Sequence, residues 1–338
     1  MLQLKNTTPF AATITVFPNE KAIDTLYVVM KATFTLGNRI KAADSQLPIF
    51  MAEEYWGEPG LSSLKYASEL HLTKPSTDVV MIGKASAVDK RPTTMLDVRL
   101  EVADRKKVVR VFGDRQWVNG EAGQKMSSPE PFESLPLVYE RAYGGVHEVD
   151  PIKPEVLFEE RNPIGRGFKG KRTESEMKGT MLPNLEDPAK LIRKPEDRPP
   201  PACFGYIAPS WKPRKLFSGT YDEAWQQKGA PYLPEDFDSR FFNAAHPDMV
   251  CKGYLKGGEP VFIQNMSHAG PLKFTLPVCE LETAVRIAGN TTIPPLNLET
   301  VLLEPSESRM SLLWRAAVAC DKKALKVEQI DIRQKKSS

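Results

Sequence analysis

Alternation of apolar and polar side chains marks the strands of this chain, and it is clearest near the N-terminus. Within residues 24–36, apolar side chains occupy every second position from Leu26 to Leu36. Successive side chains of a strand point to opposite faces, so this two-residue period predicts a half-buried β-strand. Residues 10–16 show a similar period just before it. We therefore expect these two segments to form an N-terminal hairpin.

The same alternation recurs along the rest of the chain. Residues 95–102 carry apolar side chains at alternate positions, and residues 108–112 can pair with them across a polar turn. One short segment, residues 220–227, is a good helix candidate. Together these patterns predict a mainly β fold of packed antiparallel sheets, sandwich-like, with long Pro/Gly-rich loops and one or two short helices. Further strand-like segments are residues 77–83, 260–264, 272–276, 298–303, 310–319 and 327–332.

Proline and charge interrupt the strand pattern in the middle of the chain. Residues 171–201 are charged and end in three consecutive prolines, and 29 of the 338 residues are proline, which disfavours long helices. We expect this segment to be an exposed, mobile excursion, either a linker or a long surface loop. The chain is therefore predicted to be a single domain, 1–338, or two intimately packed halves, 1–170 and 202–333, joined by this excursion.

Charge and cysteine usage narrow the classes of function. A net charge of +3, from 46 basic and 43 acidic residues, argues against a dedicated nucleic-acid-binding protein, which needs a basic face. No apolar run reaches the roughly 18 residues of a membrane span, and the first residues lack the pattern of a secretory signal. The four cysteines are far apart and form no CxxC motif. We expect reduced thiols in a cytoplasmic protein, without metal or cofactor.

Sequence motifs for catalysis are lacking. The chain contains neither GxSxG nor HExxH, and its four histidines are scattered. The best local cluster is His246 with Asp248 and Cys251, and it leaves a hydrolase open as an alternative function. A hydrogen-bonded loop is the structural interpretation of the same residues. We expect the protein not to be an enzyme.

Two glycine-bearing loops have several interpretations. Residues 161–168 hold two glycines and basic flanks, a composition that fits a tight turn, a protein-contact loop or a phosphate-binding nest. Residues 143–145, Tyr-Gly-Gly, fit a hairpin turn or the close approach of a partner. The residues themselves leave these alternatives open.

Aromatic residues are concentrated in residues 204–242. Such residues are buried core by default, but Trp, Tyr and Arg are also favoured at the energetic centres of protein interfaces. Stacking on a sugar by Trp211, Tyr221 and Trp225 is a further alternative, so a carbohydrate-binding module stays open.

A series of short motifs resembles one bacterial family. The motifs are ERAYGG at 140–145, RNPIGRG at 161–167, PSWKPR at 209–214, GTYD at 219–222 with Trp225, LPEDFDSRFFN at 233–243 and AHPD at 245–248. Their order and spacing resemble the domain of unknown function 2169 family, a group of type VI secretion accessory proteins. The flanking segments fit as well, so the resemblance covers nearly the whole chain.

The resemblance implies a cytoplasmic adaptor or chaperone. Such a protein binds an effector toxin, often through its N-terminal region or an attached PAAR domain, and helps to mount it on the VgrG spike. No catalytic residues are established for the family, and we expect neither a nucleic-acid nor a membrane partner. An alternative is that the signature residues build the fold and that the interface lies in residues 171–201. The candidate protein-binding residues are Arg141, Tyr143, Arg161, Arg166, Trp211, Arg214, Tyr221, Trp225, Arg240 and Phe241.

Overall fold

The fold is mainly β, as the alternation predicts, and it contains several antiparallel sheets. The structure is a computed structural model that describes residues 3–37, 39–121, 123–150 and 155–335. The strands of the first half are β1 (Gln3–Asn6), β2 (Ala11–Pro18), β3 (Asp24–Thr35), β4 (Lys41–Ala42), β5 (Glu54–Tyr55), β6 (Leu64–Tyr66), β7 (Asp78–Met81), β8 (Lys84–Ser86), β9 (Met95–Val102), β10 (Arg105–Phe112), β11 (Trp117–Gly120), β12 (Gly123–Met126), β13 (Ser134–Pro136), β14 (Tyr143–Gly144), β15 (Val146–Asp150), β16 (Glu155–Phe158) and β17 (Arg166–Gly167). The later strands are β18 (Leu185–Glu186), β19 (Pro260–Gln264), β20 (Leu272–Thr275), β21 (Leu281–Ile287), β22 (Asn290–Thr292), β23 (Asn297–Glu304), β24 (Arg309–Ala319) and β25 (Val327–Gln334).

Helices are short in the described part of the chain. The α-helices are α1 (Glu174–Met177) and α2 (Glu223–Lys228). α2 matches the helix predicted over residues 220–227, and it begins after Asp222, whose side chain accepts a hydrogen bond from the backbone N–H of Trp225. An aspartate at this position satisfies an amide that the first helical turn leaves unpaired. Short 3-10 helices cover Val88–Lys90, Tyr139–Arg141, Arg214–Phe217, Ser239–Phe242, Pro247–Met249, Pro305–Glu307 and Asp321–Lys326.

Three larger sheets organise the molecule. The central sheet has the strand order β2-β3-β24-β23-β7, with β4 added beside β3. The second sheet has the order β18-β10-β9-β19-β20, and the third has the order β1-β25-β21-β22. The predicted hairpins are confirmed, because β2 pairs with β3 and β9 pairs with β10 in antiparallel register. Within these three sheets, two pairs depart from the antiparallel pattern: β7 runs parallel to β23, and β1 runs parallel to β25.

Strand β3 is more deeply buried than its sequence pattern predicts. Every residue from Thr25 to Phe34 is buried, so the prediction of a half-buried strand is wrong. The reason lies in the neighbours: β3 has β2 on one side and β24 on the other, and the following loop covers one face. In that loop, the backbone N–H of Leu47 donates to the Thr33 hydroxyl at 3.0 Å, and the carbonyl of Pro48 accepts from the Lys31 ammonium group at 3.1 Å.

All three sheets contribute side chains to one hydrophobic core. Val28 of the central sheet, Val98 of the second and Ile330 of the third are fully buried members of the same cluster. Burial of apolar surface drives folding at about 25 cal/mol per Å², so this shared core ties the sheets together.

Residues 171–201 are packed against the rest of the molecule, and the expectation of a wholly exposed excursion is wrong. Met177, Leu182 and Ile192 are buried in a smaller cluster that also contains Trp117 and Tyr143. Because apolar side chains at these positions fill a core, the segment is a structural part of the fold despite its prolines and charges.

Candidate protein-binding surface

The two glycine-bearing loops of the signature interlock with each other. β14 pairs with β17 in parallel register, and the buried amide of Asn162 donates to the carbonyls of Tyr139 and Tyr143. A Cβ atom on Gly165 would lie only 2.6 Å from the carbonyl oxygen of Ala142. Glycine is therefore required by close backbone packing, and the turn interpretation fits this geometry best.

Arg141 and Arg166 converge at the edge of this interlocked pair. Both guanidinium groups donate to the side-chain oxygen of Asn184, at 3.0 and 3.3 Å. Arg141 also lies 3.4 Å from a carboxylate oxygen of Asp114. Burial, together with the neighbouring Arg141, lowers the pKa of Arg166. These half-buried arginines therefore join the two loops to residues 114 and 184.

Three further candidates have clear structural contacts. Tyr143 is buried in the smaller core. Trp211 is buried with its ring edge-on to Tyr139, at 5.5 Å between centroids. Arg214 donates to the carbonyls of Ile207 and Phe241, and burial lowers its pKa to about 10. These side chains hold loops together and offer a partner little surface.

Four of the remaining candidates, Tyr221, Trp225, Arg240 and Phe241, lie on a surface lobe formed by residues 215–242. Tyr221 is exposed, and its ring is 71° from that of Trp225. A flat aromatic platform suited to a sugar ring is therefore not formed by this pair. Arg240 is exposed, pairs with Asp238 and lies over the Phe217 ring, while the half-buried Phe241 packs edge-on to Phe237.

An apolar groove of about 340 Å³ lies beside this lobe. Leu216 forms part of its wall and is 65 % exposed. Arg161 and Lys212 are the basic residues of the lining, and each is paired with an acidic neighbour, Glu159 and Glu160 respectively. The other lining residues are Tyr139, Pro200, Pro201, Ile207, Pro213, His246 and Pro247.

Sequence patterns did not single out this groove. Of its residues, only Arg161 is a candidate protein-binding residue from the sequence, and His246 entered as part of the hydrolase alternative. The available signal is the run Pro199-Pro200-Pro201 together with a leucine in the basic segment 212–216. Prolines far apart in sequence form a common wall only when the chain is folded, so the alternation of apolar and polar positions does not indicate them.

The side chains of His246 and Asp248 both contact the ammonium group of Lys107. Lys107 donates to Asp248 at 3.0 Å and lies 3.2 Å from the imidazole Nε2 of His246. Burial and the Lys107 charge lower the pKa of His246 to about 3, and burial raises the pKa of Cys251 to about 12. A nucleophilic thiol needs the opposite shift, so this environment does not activate Cys251.

Asn243, the last residue of the motif at 233–243, contacts a buried network of charged side chains. Its amide donates to Asp78 at 2.8 Å, and Asp78 in turn pairs with Lys74 at 2.7 Å. Next to this pair, Arg315 and Glu299 form an ion pair in which both side chains are 0 % exposed. The signature segment 233–243 thus closes a polar centre at the edge of the central sheet.

Two kinds of site are not found in the part of the chain that the structure describes. No cluster of three or more His, Cys, Asp or Glu residues is arranged to hold a metal ion there. Of the helices in those same residues, none has both the length and the apolar character needed to cross a lipid bilayer.

Comparison with known proteins identifies the family. No match to this chain is found among curated proteins or among solved structures. A family model described as an uncharacterized protein conserved in bacteria, DUF2169, matches residues 21–315. This range includes the interlocked loops, the aromatic lobe and the groove. The chain therefore belongs to the DUF2169 family of uncharacterized bacterial proteins.

Proposed function

We propose that this protein is a cytoplasmic adaptor that binds a type VI secretion effector, or the PAAR or N-terminal region of one, and promotes its loading onto the VgrG spike. The secretion role comes from the resemblance of the signature motifs to accessory proteins of that system. The observation that carries the binding role is the apolar groove beside the aromatic lobe.

The groove has the properties of a recognition site for an apolar side chain of another protein. Four prolines form part of its lining, and a rigid wall of this kind loses little conformational freedom when a partner binds. Arg161 and Lys212 frame it with ion pairs, which resembles the polar rim of a protein interface.

The neighbouring lobe extends this surface. Leu216, Tyr221 and Tyr232 are all exposed large side chains of one short stretch of chain. Tyrosines and leucines that are exposed next to a groove provide contact area around a central anchor. The cargo is therefore expected to insert an apolar residue into the groove and to cover the lobe.

The test is affinity capture of the tagged protein from its own secreting cells, with mass spectrometry of what is bound. The groove variant is Leu216→Glu, and the matched control is Leu325→Glu, because Leu325 is a fully exposed leucine remote in sequence from the groove. We expect the wild type and the control to capture a toxin together with a spike component. Leu216→Glu should lower capture roughly tenfold or more, because a carboxylate in an apolar site loses its hydration.

The two parts of the proposal fail in different ways. Equal capture by Leu216→Glu and the wild type would show that the cargo binds elsewhere. If the wild type captured neither toxin nor spike component from secreting cells, the adaptor function itself would be wrong.

A further inference from the structure

Strand β2 is a long edge strand whose first seven residues include neither a charged side chain nor a proline. It pairs only with β3, at one end of the central sheet. Its eight residues, Ala-Ala-Thr-Ile-Thr-Val-Phe-Pro, include no charged side chain. Exposed edges are usually shortened, charged or covered, because their free backbone groups bind other strands.

The other edges of the three larger sheets are protected. β18 has two residues and β22 has three. β20 carries Lys273, and β7 is wholly buried, with Asp78 bridged to Val250. β1 has four residues and carries Lys5. The contrast indicates that the β2 edge is kept open for pairing.

The hydrogen-bond register shows which groups of β2 point outward. Just beyond the strand, the N–H of Asn19 donates to the carbonyl of Ile23, which makes these two residues a hydrogen-bonded pair. Hydrogen-bonded pairs alternate along an antiparallel ladder, so residues 11, 13, 15 and 17 bond β3. Ala12, Ile14 and Val16 therefore direct their N–H and C=O groups away from β3. Pro18, which has no N–H, also lies at an outward position, as expected for an edge.

We propose that a second copy of this chain pairs with the β2 edge, antiparallel and about a two-fold axis at Ile14. In this register Ile14 faces Ile14 of the other copy, and Ala12 faces Val16. Each such pair of outward residues exchanges two backbone hydrogen bonds. The central sheets of the two copies become one continuous sheet.

The side chains of β2 fit this self-pairing. On the face that carries Ala12 and Ile14, a small residue lies opposite the larger Val16 and the two Ile14 side chains meet. On the other face, Thr13 lies opposite Thr15. β-Branched pairs and Thr–Thr pairs stabilise neighbouring strands, whereas like charges opposed across a two-fold axis would repel. The absence of charge from β2 removes that penalty for pairing with itself.

This inference does not depend on the adaptor function, because it concerns the assembly of the chain alone. The groove and the lobe lie on residues 139–247, whereas the proposed dimer edge is residues 11–18.

The test compares Val16→Pro with Val16→Thr by analytical ultracentrifugation over a wide concentration range. Val16 is 43 % exposed, and its N–H points away from β3, so proline removes an outward donor without breaking the bonds between β2 and β3. Threonine keeps the donor and the β-branched shape. We expect the wild type and Val16→Thr to have twice the chain mass of 37.8 kDa, and Val16→Pro to dissociate at roughly tenfold or more higher concentration.

Amide hydrogen exchange gives a second readout that is independent of the variant. The amides of Ala12, Ile14 and Val16 should become more protected as the protein concentration rises, whereas those of Thr13 and Thr15 are protected throughout. A monomeric wild type at all concentrations would overturn the proposal. So would a dimer that Val16→Pro leaves intact, or a monomer whose outward amides become protected only when cargo is bound, which would assign the edge to a cargo strand.

Discussion

At the scale of single residues, several pairs of opposite charge are buried inside this protein. Side chains of both signs lie inside the fold and neutralise each other in close pairs. Desolvation of an ion costs several kcal/mol unless a partner compensates it, so each pair depends on both members. Three such buried pairs are Lys31–Glu69, Lys74–Asp78 and Arg315–Glu299.

Removal of one member of the most deeply buried pair should be strongly destabilising. Arg315→Met leaves the carboxylate of Glu299 without its cation, and we expect the free energy of unfolding to fall by about 3–5 kcal/mol. The double variant Arg315→Met/Glu299→Leu should recover about half of this loss, because no charge is then left unpaired. Arg333→Met, which removes an exposed partner of Glu282, should cost less than about 1 kcal/mol. Denaturant unfolding of the four proteins measures these differences.

His246 makes the stability of the folded protein depend on pH. Its pKa falls from about 6.5 in an unfolded chain to about 3 in the fold, because of burial and the Lys107 charge. Below pH 6.5 the unfolded chain therefore binds a proton that the folded protein does not. The associated stability is complete above pH 6.5 and is lost as the pH falls toward 3.

Between pH 6.5 and pH 5 we expect this single group to lower the free energy of unfolding by about 2 kcal/mol. His246→Gln keeps an acceptor for Lys107 but does not titrate. Over the same pH range, its free energy of unfolding should therefore fall by about 2 kcal/mol less than that of the wild type. Thermal or denaturant unfolding at each pH measures the slope. Equal slopes for both proteins would contradict the low pKa.

The sequence patterns do not predict these contacts between single residues. Asn243 lies in a motif that the sequence singled out, but its partner Asp78 is 165 residues away. Periodicity reports which face of a strand is apolar and carries no information about such distant polar partners. Arg315 similarly lies inside the strand-like segment 310–319, where its charge gave no indication that its partner is Glu299 on the neighbouring strand β23.

At the scale of elements, the strands were predicted well and the loops were not. β9 coincides with residues 95–102 and β19 with residues 260–264, because each strand has its own alternation. The predicted extent of burial was wrong for β3, because burial of its second face depends on the loop that follows it. The prediction that residues 171–201 are exposed was wrong for the same reason, because their apolar side chains fill a core made by other segments.

The interlocked loops make a prediction about glycine. A Cβ on Gly165 would lie 2.4 Å from the amide nitrogen of Asn162 and 2.6 Å from the carbonyl oxygen of Ala142, and neither the backbone nor the buried amide can yield. Gly165→Ala should therefore destabilise the protein by about 3 kcal/mol or more. Gly253→Ala is the control, because its Cβ would meet nothing within 4 Å. Comparison of the unfolding curves of the two variants distinguishes the steric clash of the new Cβ at position 165 from the general effect of replacing a glycine by alanine.

At the scale of the whole molecule, the two sequence halves share their sheets. In the central sheet, β3 from the first half is hydrogen-bonded to β24 from the second. In the second sheet, β9 from the first half is hydrogen-bonded to β19 from the second. The core contains side chains from both halves. Neither half can therefore complete a sheet or a core without the other.

This interlocking predicts that residues 1–170 and 202–333 unfold together. Without β24, strand β3 would expose its row of backbone groups on one side and a fully apolar core face, so either half alone should be unfolded or aggregated. In the intact chain, denaturant curves from tryptophan fluorescence and far-ultraviolet circular dichroism should coincide as one transition. Amides of β3 and β24 should exchange with the same opening free energy, because they break in one event. Two separate transitions, or a folded fragment 202–333 produced alone, would show that the halves are independent domains.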